Sequence, residues 1–237
     1  MNRRIYLLVL TVVTIFVIIA GTLRQYVHTG VHTGAEITSS LDDSFTSISI
    51  DAKAIDLTIK AGAPTIKLSG HSDYFPTYEI DDDRLVITQD DISRVTVKST
   101  VKMTLYVNET QYKSLSIQMN AGDIRIDDIN TAYTSINNNA GDVKVMDANL
   151  GQTVIQLNAG DVKLNGTTFT NLTLNNNAGD VKINDIPHFA DYDVRLSSSV
   201  GNIKVNGDKQ KNPYQQTGTN DYFIDISTNL GDIKIVS

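Results

Sequence analysis

The chain has 237 residues with no Cys, no Trp, four Pro and fifteen Gly, and 20 basic against 27 acidic residues give a net charge of −7. An apolar content of 41% with 20% charged residues is that of a folded domain, not of a disordered chain. The absence of Cys excludes disulfides, thiolate metal sites, a Cys nucleophile and a lipid-modified Cys, and the acidic balance argues against nucleic acid and anionic lipid as partners.

The chain opens with MNRR, followed by nineteen uncharged residues from Ile5 to Leu23 and then Arg24. As a helix this run is about 28 Å long, close to the hydrocarbon thickness of a bilayer. It is longer than the apolar core of a cleavable signal, and its small pair Ala20-Gly21 has Ile18 or Ile19 at the −3 position. An uncleaved transmembrane helix is therefore expected, with residues 1–24 forming a cytoplasmic tip and anchor. Arg3 and Arg4 before the run, against Arg24 alone after it, place the N-terminus in the cytoplasm and the rest of a single-pass cell-membrane protein outside. With those three Arg set aside, 17 basic residues face 27 acidic ones in the exterior part, a net of −10.

Residues 25–40 read as a juxtamembrane linker containing a tandem VHTG at Val27 and Val31. His28 and His32 have a spacing that binds metal on a helix, but the surrounding Gly and Thr oppose a helix and no third ligand accompanies them. Residues 41–112 form an N-terminal β region. FTSISID, IDLTIK, TIKLSG, RLVITQ, RVTVKST and KMTLYVN each alternate apolar and polar residues, the period of half-buried strands. Ile55 to Leu68, IDLTIKAGAPTIKL, looks like a degenerate copy of the repeat that follows, with Ala61-Gly62 at its turn.

From residue 113 to 237 a repeat governs the chain. AGDIRI, AGDVKV, AGDVKL, AGDVKI, VGNIKV and LGDIKI place Gly at 122, 141, 160, 179, 201 and 231, with steps of 19, 19, 19, 22 and 30. Counting from the Asp as position 0, positions +1, +3 and −6 are aliphatic in every unit, the last being Ile117, Ile136, Ile155, Leu174, Leu196 and Ile226. Each unit is thus a strand, a tight turn, a second strand and a short connection. One unit cannot bury its own aliphatic face, whereas units stacked at the 4.7–4.9 Å strand spacing share a continuous core. The expected fold is all-β: a single-stranded parallel β-solenoid of about 19 residues per coil, right-handed because 19 is not a multiple of six. Antiparallel hairpins are the alternative geometry.

The repeated polar residues have structural explanations. Gly122, Gly141, Gly160, Gly179, Gly201 and Gly231 suit a positive φ or a close approach of neighbouring coils. Asn120, Asn139, Asn158, Asn177 and Asn229 would stack as an amide ladder, with carbohydrate binding as the competing use. Asp123, Asp142, Asp161 and Asp180 would form an acidic column screened by Arg125, Lys144, Lys163 and Lys182 two residues on, while also accepting turn amides. These four Asp are weak calcium candidates, since the calcium-binding β-roll is richer in Gly and lacks the adjacent cation. No catalytic or cofactor-binding constellation emerges, because polar residues that recur in every coil differ from the single irregular cluster of an active site, and His71 and His188 are isolated.

The Gly-Asp/Asn-aliphatic triplets at Gly122, Gly141, Gly160, Gly179, Gly201 and Gly231, on an anchored Cys-free chain, resemble the bacterial putative-adhesin family of β-strand-repeat proteins, over about residues 45–237. The resemblance implies a β-helical envelope protein without known catalysis. Some relatives are membrane-anchored products of cell-envelope-stress operons of the Lia type. The functional expectation is a membrane-anchored, extracytoplasmic, non-catalytic and cofactor-free protein, adhesin-like or engaged in the envelope stress response. A surface spacer or a glycan-active β-helix enzyme are the alternatives. Expected partners are the membrane, through the N-terminal helix, and an envelope protein or glycan. The C-terminal repeat strand, read as a solenoid edge, adds self-association unless Asn206 to Asp221 folds over it.

Overall fold

The computed structural model describes residues 34–42, 45–90, 101–108 and 111–237. The expected anchor, His28, His32 and the expected strand Arg94 to Thr100 lie outside the described residues. The chain order is β1 (Ala35–Ser40), β2 (Ser47–Ala61), β3 (Thr65–Gly70), β4 (Thr77–Asp81), β5 (Arg84–Thr88), β6 (Val101–Val107), β7 (Gln111–Ala121), β8 (Ile124–Asp127), β9 (Asn130–Ala140) and β10 (Val143–Met146). It continues with β11 (Gln152–Ala159), β12 (Val162–Asn165), β13 (Asn171–Ala178), β14 (Val181–Asn184), β15 (Tyr192–Val200), β16 (Ile203–Val205), β17 (Asp208–Lys209), β18 (Tyr214–Gln216), β19 (Tyr222–Leu230) and β20 (Ile233–Val236).

The regular coils stack in parallel. The first strand of each unit joins one sheet, here the front sheet, where β7, β9, β11 and β13 lie side by side. The second strand joins the back sheet of β8, β10, β12 and β14. Register is like on like: Val143 faces Ile124 and Val162, and Ile155 faces Ile136 and Leu174. A short third side closes each coil through isolated bridges joining Asn130, Asn149 and Thr168. The aliphatic residues at +1, +3 and −6 are buried in every unit and fill the space between the sheets, so the period-2 alternation becomes one continuous core.

At both ends spatial order departs from sequence order. β2 belongs to both sheets, its first half pairing with β7 and β5 and its second half with β8 and β6. The later strands β5 and β6 therefore lie outside it. At the other end β19 sits between β13 and β15, and β20 between β14 and β16. The C-terminal repeat is thus an interior coil with partners on both sides, not the edge expected from its place in the sequence. The outermost coil is β15 with β16, and the segment after Asn206 does fold over it: β17 and β18 pair antiparallel to β16 and β15. The opposite end is closed in the same way, by β4 on β5, β3 on β6 and β1 on β3, all antiparallel. Antiparallel pairing is real in this molecule but confined to the ends.

Two local readings are corrected. The N-terminal copy of the repeat is Ala54-Ile55-Asp56-Leu57-Thr58-Ile59, since Ala54 aligns with Ala121, and Leu57 and Ile59 with Ile124 and Ile126. Ala61-Gly62 is not its turn. With Ile55 in place of Gly, the corner is passed by one unbroken strand. Of the linker segment, Ala35–Ser40 is strand β1, whose mostly exposed residues carry no alternation to reveal it.

Candidate functional site

Three outward columns run up the corner between the sheets. The Gly column does both things expected of it. Gly122, Gly141, Gly160 and Gly179 have φ between +118° and +142°, and a Cβ on Gly141, Gly160 or Gly179 would collide with the backbone carbonyl of Gly122, Gly141 or Gly160 in the coil before. Gly231 meets Gly179 and Gly201 meets Gly231, so the column follows the spatial order through the rethreaded end.

The Asn column is a ladder of side-chain amides. Asn139 donates to Asn120 at 3.3 Å, Asn158 to Asn139 at 2.6 Å, Asn177 to Asn158 at 2.8 Å and Asn229 to Asn177 at 2.7 Å. The Asp column works through the backbone. Asp123 Oδ1 accepts the amide N–H of Asp142 at 2.9 Å, Asp142 that of Asp161 at 3.0 Å, and Asp161 that of Asp180 at 2.9 Å. Asp180 accepts from Asp232, and Asp232 from Asn202, where the column ends on a neutral residue. The calcium candidates therefore spend one carboxylate oxygen each on the next coil. Among the described residues no group of three or more His, Asp or Glu is placed to hold a metal ion.

The basic column is continuous in register from Arg125 through Lys144, Lys163, Lys182, Lys234 and Lys204. Lys163 pairs with Asp161 at 3.6 Å, but Arg125 turns to Asp127 at 2.6 Å instead of Asp123. Much of the compensation expected from cations is thus supplied by amide dipoles.

Inside the corner, one position before the Asn ladder, Asn138 and Asn176 are buried. Asn138 donates to Gly122 O at 2.9 Å, and Asn176 to both Gly160 O and Gly179 O at 3.0 Å. Leu157 fills the same place in the coil between them, so these amides are a tolerated variant of core packing. His71 is exposed beside Asp73 at 3.6 Å, and His188 holds a left-handed φ of 54°.

Sequence reading missed a different cluster, at the end of the front sheet. A cavity of about 430 Å³ is lined by Asp193, Arg195, Gln215, Thr217, Phe223 and Asp225. Three strands build it. Asp225 on β19, Arg195 on β15 and Gln215 on β18 stand in one row, and Phe223 and Asp193 in the next. Asp193 also accepts the Gly218 N–H at 2.8 Å, tying the segment after β18 to the cavity wall. Position −7 is Ser116, Ser135, Val154 and Thr173 in the regular coils but Asp225 and Arg195 here, so aligning the units on their Asp would have exposed the break. Burial at this end also perturbs Tyr192: desolvation, then the nearby Tyr222, raise its phenol above the ordinary 10.0 while it donates to Phe169 O at 2.6 Å.

Comparison with known proteins supplies the lineage. Curated proteins give no match. Among solved structures, a "putative cell adhesion protein" from Clostridium sporogenes superposes with a TM-score of 0.54 at 14% identity, covering 86% of this chain and 99% of that one. A "putative adhesin" from Bacteroides fragilis is matched at 12% identity with a TM-score of 0.37, over 86% of this chain and 97% of that one. At such identities the first likeness speaks for the fold alone. The family described as Toastrack DUF4097 matches residues 45–198 and 107–236, nearly the whole of the solenoid. This chain belongs to the Toastrack DUF4097 family.

Proposed function

We propose that this protein is a membrane-anchored, extracytoplasmic and non-catalytic β-solenoid that serves as an adhesin-like binding module of the cell envelope. One observation carries the reading: the polar residues repeated in every coil are engaged in ladders that hold the stack together, in contrast to the irregular cluster of a catalytic site. What the stack offers to partners is its long, rigid outer faces, on which residues vary without disturbing the core. The uncharged run Ile5 to Leu23 supports the anchor, and Arg3 and Arg4 support a cytoplasmic N-terminus. The resemblance to Lia-type products supports a role when the envelope is stressed.

The test uses cells expressing the full chain. Protease added to intact cells is expected to degrade the solenoid, and deletion of the protein to lower surface adhesion or tolerance of wall-active antibiotics. Degradation only after lysis would reject the orientation. Unchanged adhesion and tolerance in the deletion strain would leave a spacer as the better reading.

A further inference from the structure

The front sheet presents an outer face that is almost free of charge over its regular coils. Beside the Asn ladder runs a second amide row, Gln118, Asn137, Gln156 and Asn175, in register along the solenoid axis. Ser227 continues the row and donates to Asn175 Oδ1 at 2.6 Å. Four residues earlier on each strand, a parallel row of Tyr133, Gln152 and Asn171 leads to the cavity at β19, β15 and β18, where Phe223 continues it and leaves 40% of its surface exposed. The Phe223 ring has no core to fill, because its counterparts in the regular coils are Ser114, Tyr133, Gln152 and Asn171. Arg195 and Asp225 stand side by side there, yet among the described residues neither side chain makes a hydrogen bond or an ion pair within 4.0 Å.

An exposed aromatic ring flanked by a guanidinium, carboxylates and an amide, with no partner among themselves, matches the chemistry of a sugar. Its apolar C–H face stacks on the ring, while its vicinal hydroxyls take paired donors and acceptors. The next exposed ring in the same row is Tyr133, 42% exposed and three coils from Phe223. At one strand spacing per coil that separation is about 14 Å. A β-1,4-linked glycan advances by close to one strand spacing per sugar, so a chain lying along this row meets the amides of Asn171 and Gln152 between the two rings.

We propose that the outer face of the front sheet is a binding track for a linear, uncharged, β-1,4-linked glycan. The track begins on Phe223 with Arg195, Asp225 and Gln215, runs over Asn171 and Gln152, and reaches Tyr133. N-acetylamino sugars suit it best, because their amides complement the Asn and Gln row. This rests on the binding-module reading and gives that module a ligand class.

The experiment is calorimetric titration of the full-length chain, in detergent micelles, with the hexamer and the dimer of N-acetylglucosamine. The expected result is that the hexamer binds, and that Phe223→Leu, Phe223→Ala and Arg195→Gln each weaken both ligands at least tenfold. Phe223→Leu keeps most of the apolar volume, and thermal melting confirms that the variants fold. Tyr133→Ala is expected to weaken the hexamer at least threefold and leave the dimer unchanged, since only the longer chain reaches it. Lys144→Gln on the back sheet is expected to change neither. No binding of the hexamer at millimolar concentration would overturn the proposal, as would affinities within twofold of the original in the Phe223 and Arg195 variants. Loss of the site with adhesion of intact cells preserved would leave the binding-module reading standing. Release of shorter sugars would retain the site and overturn the non-catalytic reading.

Discussion

The middle of the solenoid and its C-terminal end use the same repeat in different ways. From β7 to β14 spatial order equals sequence order, each coil is bonded to the coil 19 residues away, and the outward residues on the front are mainly uncharged amides and hydroxyls. From β15 to β20 the chain skips a place and returns to fill it, so the bond of Asn229 to Asn177 spans 52 residues. The corner residues barely change across this break, because Gly, Asp and Asn serve the contact between whichever coils are neighbours. The outward residues do change, to Asp193, Arg195, Phe223 and Asp225. Architecture is therefore written in what repeats, and individuality in what stops repeating.

The strongest way to break this comparison is to delete residues 229–237. That removes β20 from between β14 and β16 and takes Ile233 and Ile235, both fully buried, out of the core. At about 2–3 kcal/mol per buried aliphatic side chain the loss is about 5 kcal/mol or more. A fall of over about 10 °C in the thermal midpoint is expected by circular dichroism. A midpoint within about two degrees of the original would mean that the coil is peripheral after all.

Next in size is Gly160→Ala in the middle, where the φ of +142° and the carbonyl of Gly141 both oppose a Cβ. A cost of about 4 kcal/mol is expected in urea unfolding. The matched control is Gly207→Ala at the end, with φ +88° and nothing within 4 Å of the new atom, for which about 1 kcal/mol is expected. Equal costs would refute the close-approach account of the column.

A smaller effect belongs to Tyr192→Phe, which leaves the Phe169 carbonyl without its buried donor and should cost about 1–2 kcal/mol. The folded-state phenol pKa is raised, so its contribution is complete below the ordinary 10.0 and is lost as pH rises through the higher folded value. Alkaline titration of stability should accordingly show a falling limb in the original protein that the Phe variant lacks.

The smallest effect is at the opposite end, where Lys113 donates to Asp83 at 2.6 Å and Thr46 adds a second bond at 2.7 Å, holding the carboxyl below its usual range. That contribution is present above the ordinary carboxyl pKa and fades as pH falls through the lowered one. Lys113→Gln should lower stability slightly at neutral pH and flatten the acid limb, so that the variant and the original converge at low pH. An unaltered acid limb would show that the pair is idle.

The regular coils were legible because each requirement repeats in the sequence: aliphatic at +1, +3 and −6 for the core, Gly for the corner, Asn and Asp for the ladders. The partner of a coil was not legible. Ile226 and Ile233 satisfy the same pattern wherever their coil is inserted, so identical corners hide their order in space. β1 and β4 escaped because their outer rows are exposed and lack alternation. The cavity escaped for the opposite reason: Arg195 and Asp225 differ from their counterparts in the regular coils, so no repeat marks them.

The rethreaded ends also bear on how the molecule comes together and apart. A simple solenoid can grow coil by coil and fray coil by coil, since each unit needs only the one before it. Here the place beside β13 and β14 belongs in the finished fold to β19 and β20, which follow β15 and β16 in the chain. That end of the stack is completed only when this later segment arrives, whereas at the other end β2 is in place before β5 and β6 pair outside it and β7 and β8 inside it. Long loops closed late make folding slow. In return, each end coil is a stretch of chain held on both sides by strands deeper in the stack, β14 and β19 at one end and β2 and β7 at the other, so a coil that frays stays tethered beside its place.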